Sequence, residues 1–251
     1  SKDRLKIDFV AVGKKGENIV VLGEDKKLYS DQINSALKIL EKKTRKAVFY
    51  SFVLLDEGKM STRDGNVVLL EDFMSEALKK AGGELRQRYK KIDNKAARVI
   101  AYGALKYGIL KVSPEKNVIF NWQQALSFDG ETAPYIQYAY ARISSIIKKN
   151  KNKLPKKADF SLLDKKEEIE LIKKLADFPN IVEKTANELR PSIIANYVYE
   201  LAKQFNEFYH IHNILKEKQD TKNARLLLAS CVRQVLKNSL NLLGIDVLER
   251  M

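Results

Sequence analysis

The chain has 251 residues, 45% of them hydrophobic, and its 46 Lys and Arg against 32 Asp and Glu leave a net charge of +14. That size and apolar content fit a globular protein and allow one large or two ordinary domains with real cores. The charge favours polyanionic partners, nucleic acid first, with a merely soluble basic surface as the alternative.

No stretch reaches the length of a membrane span, and no secretory signal is recognisable. The single cysteine, Cys231, excludes an internal disulfide, and the composition suits the cytoplasm. Cys231 sits among apolar helical residues and is expected to be a small buried hydrophobe.

In chain order, residues 1–57 read as part of an α/β domain. Residues 7–12 and 18–22 have strand composition, with a turn at 14–17 between them. Tyr29, Ile33, Leu37 and Leu40 recur at helical spacing. The apolar, β-branched run 47–55 predicts a buried strand. Gly13 and Gly23 are lone glycines and make no dinucleotide fingerprint. The stretch Gly58-Lys59-Met60-Ser61-Thr62-Arg63-Asp64-Gly65-Asn66 then has the composition of a phosphate-handling loop. Lys59 and Arg63 can face phosphate oxygens, Arg63 with a bidentate fork, while Ser61, Thr62 and Asn66 add short donors. It follows a strand, and open α/β sheets bind ligands at the carboxyl ends of their strands. Composition alone would favour an ordinary solvated turn.

Residues 67–128 turn helical. Residues 67–70 are expected to pack back on the domain, and Asp72 to cap a helix that ends at Gly82-Gly83. A second helix is predicted over 95–110, stopped by Ser113-Pro114. Phe120, Trp122, Leu126 and Phe128 form an aromatic patch whose default role is core packing. Gly130 and Pro134 then make a turn into a helix capped at Thr132 or Ala133. On that helix Ile136, Tyr140, Ile143 and Ile147 share one face and should point inward. Tyr138, Arg142, Ser145 and Lys149 share another. A ring with cations at helical spacing suits an unpaired base and its phosphates, and describes a solvated helix face equally well.

Residues 148–157 are a basic, Pro-broken linker, and a helical bundle follows from 161. Ile169, Ile172 and Leu175 mark one helix, broken at Pro179, and Val182, Ala186 and Leu189 the next. Pro191 opens a third, with Ile194, Val198, Leu201, Ala202, Phe205, Phe208 and Tyr209 in phase. Leu227, Leu228, Cys231, Val235 and Leu242 carry the last, and Gly244 stands where a C′ glycine belongs. His210 and His212 lie too far from other ligand types to argue for zinc and suit surface or capping roles.

Four separated segments, in order, carry a resemblance. Lys59-Met60-Ser61-Thr62-Arg63-x-Gly65-Asn66-Val67-Val68-x-Leu70 resembles the Lys-Met-Ser-Lys-Ser loop of class I aminoacyl-tRNA synthetases, in the variant of the arginyl enzymes. Gly130-x-Thr132-x-Pro134-Tyr135-x-Gln137-Tyr138-Ala139-x-x-Arg142-Ile143 resembles the opening of their anticodon-binding domain. Residues 207–213 and 242–251 resemble further segments of the same family, and the resemblance covers about residues 46–251.

The resemblance implies a mainly α fold. A partial α/β, Rossmann-type segment over 1–75 carries the loop, connecting helices occupy 76–128, and an all-α anticodon-binding bundle occupies 129–251. It implies that Lys59, Met60, Ser61 and Thr62 meet ATP, with Lys59 and Arg63 as catalytic cations; Thr62 departs from the family's second lysine. Tyr138 and Arg142, more weakly Tyr135, and with them Lys149 and Met251 would contact tRNA.

The enzyme so implied joins arginine to tRNA(Arg) through an arginyl-adenylate in the cytoplasm, using ATP and Mg2+. It generally needs tRNA bound before activation. The family's His-Ile-Gly-His motif is absent, since the only histidines are His210 and His212. The chain is therefore expected to be a carboxyl-terminal portion, inactive alone, whose partners are tRNA(Arg), arginine and the missing amino-terminal half, with no membrane. The rival readings are a non-catalytic tRNA-binding module that keeps the loop as a relic, and a helical interaction protein with no RNA role.

Overall fold

A computed structural model describes residues 17–55, 69–88, 94–151 and 153–251. The strand expected at 7–12 and the loop at 58–66, with Lys59, Met60, Ser61, Thr62 and Arg63, lie outside the described residues.

The first described elements form a parallel βαβ unit: β1 (Ile19–Gly23), α1 (Lys27–Ile39) and β2 (Lys46–Tyr50), with Ile19 opposite Lys46 and Gly23 opposite Tyr50. Ile33 and Leu37 are buried on α1, whereas Leu40 is exposed just past its end. The run 47–55 is not one buried strand. It changes partner after Tyr50, where the Ser51 N–H turns away to the Pro114 carbonyl at 2.8 Å. Its second half, β3 (Val53–Leu55), then pairs in parallel with β4 (Val118–Phe120). Among the described residues each sheet has two strands, and Val21, Tyr50 and Phe52 stay more than half exposed at 66%, 52% and 55%.

Helix α2 (Leu70–Arg88) runs through Gly82 and Gly83 instead of ending there. The glycines cost about 1 kcal/mol each relative to Ala. That cost is offset by the apolar face Ala77, Ala81 and Leu85, all buried against α3 (Asn94–Leu110). Asp72 lies inside the first turn, where a carboxylate complements the helix dipole, and does not cap the helix. Leu69 and Leu70 are exposed, so the expected packing of 67–70 is not seen at these two residues. Phe73, Phe120 and Trp122 meet as an aromatic trio with ring centroids 4.7–5.1 Å apart. Trp122 opens the short helix α4 (Trp122–Ala125), whose cap is Asn121.

Helix α5 (Ala133–Lys149) begins as expected. Thr132 Oγ1 accepts the Tyr135 N–H at 3.2 Å, and Pro134 occupies the first turn. Ile136, Tyr140, Ile143 and Ile147 are all buried. They meet α6 (Lys166–Ala176), α8 (Pro191–Ile211) and α9 (Gln219–Leu242) in one core, with α7 (Phe178–Glu188) packed alongside. Gly244 follows α9 with φ +68°, as a C′ glycine should.

Two helix phases differ from expectation. On α6 the buried apolar residue is Leu171, while Ile169 and Ile172 are about 40% exposed. On α9 the core face is Leu226, Leu228, Ala229, Val232, Leu236 and Leu240; of the expected residues Leu228 is buried, whereas Cys231 and Leu242 face solvent, and the buried role expected of Cys231 does not hold. Val235 and Leu227 are half-buried.

Residues 245–251 tie the two cores together. Ile245 is buried in the first, and Leu248 and Met251 pack on the second, which is built from α2, α3 and β4. Gln137, fully buried on α5, donates from Nε2 to the Asp246 carbonyl at 2.8 Å and to that of Val99 at 3.3 Å. Gly103 on α3 permits this close crossing, because a Cβ there would meet Gln137 Nε2 at 2.8 Å and Ile245 Cγ2 at 3.3 Å. Gly103→Ala is accordingly expected to cost about 1–3 kcal/mol by overpacking. Denaturant unfolding measures it, and an unchanged midpoint would show that the junction relaxes freely.

Candidate nucleic-acid interface

Residues of α5, of α8 and of the segment between α8 and α9 line one concave surface. The result is a cleft of about 800 Å³. Helix α5 contributes Tyr135, Arg142 and Lys149 to its lining, and α8 contributes Tyr199, Lys203, Asn206, Glu207 and Tyr209.

Arg142 is held firmly. Its Nη1 donates to Asn206 Oδ1 at 2.6 Å, and its guanidinium lies over the Tyr138 ring at 4.8 Å and the Tyr209 ring at 5.3 Å. A planar cation against two ring faces gains from both quadrupoles and keeps little conformational freedom. Tyr209 in turn stacks on Phe205, with centroids 6.1 Å apart and planes 18° from parallel. Tyr135 and Tyr199 face each other at 5.7 Å. Burial raises the Tyr199 phenol above its ordinary pKa, and the neighbouring Tyr135 adds to the rise. Lys149, Lys203 and Lys216 complete a cationic rim, with Glu207 as the opposing charge. Rings beside cations offer stacking faces for unpaired bases and charge for the phosphates between them.

Three of the expected contact residues, Tyr135, Arg142 and Lys149, thus line one cleft. Tyr138 does not line it; its half-buried ring lies beneath Arg142 and packs on the second core. Met251 packs on that same core, away from the cleft lining. Tyr199, Lys203, Asn206 and Tyr209 were not singled out from the sequence as contact residues. Tyr199, Lys203 and Asn206 do recur at i, i+4 and i+7 on the polar side of α8, a stripe overshadowed by that helix's strong apolar phase. Tyr209, expected in the core, is 38% exposed. His212 ends α8 and holds Glu167 Oε2 at 2.9 Å, and His210 is exposed, in keeping with capping and surface roles. Among the described residues no group of three His, Cys, Asp or Glu is placed to hold a metal ion. Nor is any described helix long and apolar enough to cross a membrane.

Residues 12–122 match the family model of tRNA synthetases class I (R), catalytic domain, and residues 136–251 that of the DALR anticodon binding domain. The arginine–tRNA ligase of Methanocella arvoryzae is 45% identical over 238 residues, which cover 93% of this chain and 42% of the relative. That of Methanocaldococcus jannaschii is 42% identical, with 93% and 41% covered. The solved arginyl-tRNA synthetase of Thermus thermophilus superposes with a TM-score of 0.84 at 29% identity, over 94% of this chain and 41% of that one. The chain therefore spans about two-fifths of the length of the relatives it matches. A catalytic-domain segment followed by a DALR bundle defines a class I aminoacyl-tRNA synthetase arrangement. Within that class the chain belongs to the arginyl-tRNA synthetase family, as a part of the enzyme, and the family implies use of ATP.

Proposed function

We propose that this chain is the part of an arginine–tRNA ligase that receives the anticodon loop of tRNA(Arg) in the cleft between α5 and α8. The observation that carries the reading is Arg142, fixed against two tyrosine rings and Asn206 in a cleft rimmed by lysines. In this reading Tyr135, Lys149, Lys203 and Tyr209 meet the loop directly, Tyr138 acts from beneath Arg142, and Met251 lies at the edge of the bound RNA. Residues 129–251 serve as the anticodon-binding unit, 76–128 as connecting helices, and 1–75 as a portion of the catalytic domain.

The whole enzyme would join arginine to tRNA in the cytoplasm through an arginyl-adenylate, with ATP and Mg2+ as cofactors. Lys59, Met60, Ser61, Thr62 and Arg63 would handle the ATP phosphates, and the remainder of the catalytic domain is the partner this chain requires. Titration with a tRNA(Arg) transcript and with the same transcript carrying a replaced anticodon loop tests the binding half. Tighter binding of the first is expected, and equal affinities would refute an anticodon site.

The catalytic half has its own test. The sequence contains no His-Ile-Gly-His motif, its only histidines being His210 and His212. ATP–pyrophosphate exchange by this chain with arginine and tRNA present is therefore expected to stay at the no-enzyme level. Turnover clearly above that control would mean the chain carries a complete adenylate-forming site.

A further inference from the structure

The cleft has one wall without regular secondary structure. His212, Asn213, Ile214, Leu215 and Lys216 line it from the segment between α8 and α9. A segment of this kind must place its backbone polar groups and charged side chains by contacts from outside itself. Ile214 is buried and supplies an apolar anchor. The polar anchors all lead back to the first turn of α6.

Arg225, on α9, is 5% exposed and lines no part of the cleft. Its Nε donates to Glu168 Oε1 at 2.7 Å. Its Nη1 donates to the Asn213 carbonyl at 2.7 Å and to Glu217 Oε1 at 3.1 Å. Glu168 is fully buried, and its other oxygen accepts the Lys165 N–H at 3.0 Å, so the carboxylate is fixed to the start of α6. Beside it Glu167 Oε2 holds His212 Nε2 at 2.9 Å. The segment is thus pinned at His212 and Asn213 on one side and at Glu217 on the other, and the pins bracket the stretch that ends in Lys216.

Stability alone explains this arrangement poorly. Burying an ion pair often gains no more than a well-packed apolar replacement would. What a guanidinium adds is direction, because its planar fork bonds several acceptors at fixed angles, which an ammonium cannot reproduce. We propose that Arg225 is a positioning residue for the RNA cleft: bridging Glu168 to Asn213 and Glu217, it sets the segment so that Lys216 faces a phosphate. The inference rests on the reading of the cleft as an RNA site.

The test uses the full 251-residue chain and a tRNA(Arg) transcript, titrated at several salt concentrations. The proteins are wild type, Arg225→Lys, Lys216→Ala and the double variant, each well below its own unfolding midpoint. Lys216→Ala should reduce the salt slope by about one phosphate contact. Arg225→Lys keeps the charge but loses the fork, and it should reduce the slope by the same amount. In the double variant Lys216→Ala should add nothing further. If Arg225→Lys does not fold, Glu217→Ala, which leaves the buried Arg225–Glu168 pair intact, carries the same comparison. Additive losses, or an Arg225→Lys slope equal to wild type, would overturn the anchoring role while leaving the RNA site standing. A wild-type chain that binds no tRNA at low salt would overturn the RNA reading, and the inference with it.

Discussion

Raising monovalent salt from about 50 to about 200 mM will weaken tRNA binding by this chain about fifty-fold. The figure comes from the cleft itself. Four cations line it, Arg142, Lys149, Lys203 and Lys216. Each neutralised phosphate releases counterions and contributes a slope of about 0.7 in log affinity against log salt for a single strand. Four such contacts give a slope of about 2.8, and a fourfold rise in salt raised to that power gives the predicted loss of about fifty-fold. The overall net charge of +14 would by itself give only diffuse attraction. The cleft concentrates charge where rings also lie, so the slope should fall stepwise as single cations are removed. Fluorescence anisotropy at four or more salt concentrations measures it. A slope below about one would mean that these side chains do not face RNA phosphates, and the proposed interface would be wrong.

The order of elements was readable where local chemistry and periodicity agreed. On α5 the cap at Thr132, the proline at 134 and the isoleucine spacing all point to one helix and one buried face, and the structure has both. Where apolar residues run together, phase is lost. Leu226, Leu227 and Leu228 are consecutive, so the spacing Leu227, Leu228, Cys231, Val235 and Leu242 does not fix the core face of α9, on which Leu228 is buried with Leu226 and Ala229 while Cys231 is exposed. Gly82 and Gly83 carry a strong local stop signal, yet the face of α2 packed on α3 holds the helix through them. The split of 47–55 depends on Val118–Phe120, a strand distant in sequence that no local pattern connects to it.

The cleft shows the same division. Its α5 half could be named from one helix and one motif. Its α8 half could not, because nothing local says which polar stripe in a bundle will face another. The Asn206 bond to Arg142 and the Arg225 bridge are products of assembly, joining residues 64, 57 and 12 positions apart.

Tyr138→Ala is expected to lower both stability and RNA affinity, and its salt signature will separate two ways the ring can act. As an open stacking platform, Tyr138 would contribute roughly 1–3 kcal/mol to binding a base, and its removal would leave the salt slope unchanged. The structure favours the other way. The ring is half-buried against the second core, and the Arg142 guanidinium lies over it at 4.8 Å. Truncation removes core contacts, so the variant should melt several degrees lower. It also removes one of the two rings that hold Arg142, a contact worth about 0.5–2 kcal/mol depending on its desolvation. Arg142 would then keep only Tyr209 and Asn206, and its charge would no longer be held in place. The salt slope in Tyr138→Ala should therefore fall by about one, as in Arg142→Ala, and combining the two substitutions should lower it little further. Tyr138→Phe keeps the ring and should retain the melting temperature, the affinity and the slope. If Tyr138→Ala binds weakly with an undiminished slope, the ring meets a base directly and Arg142 does not depend on it.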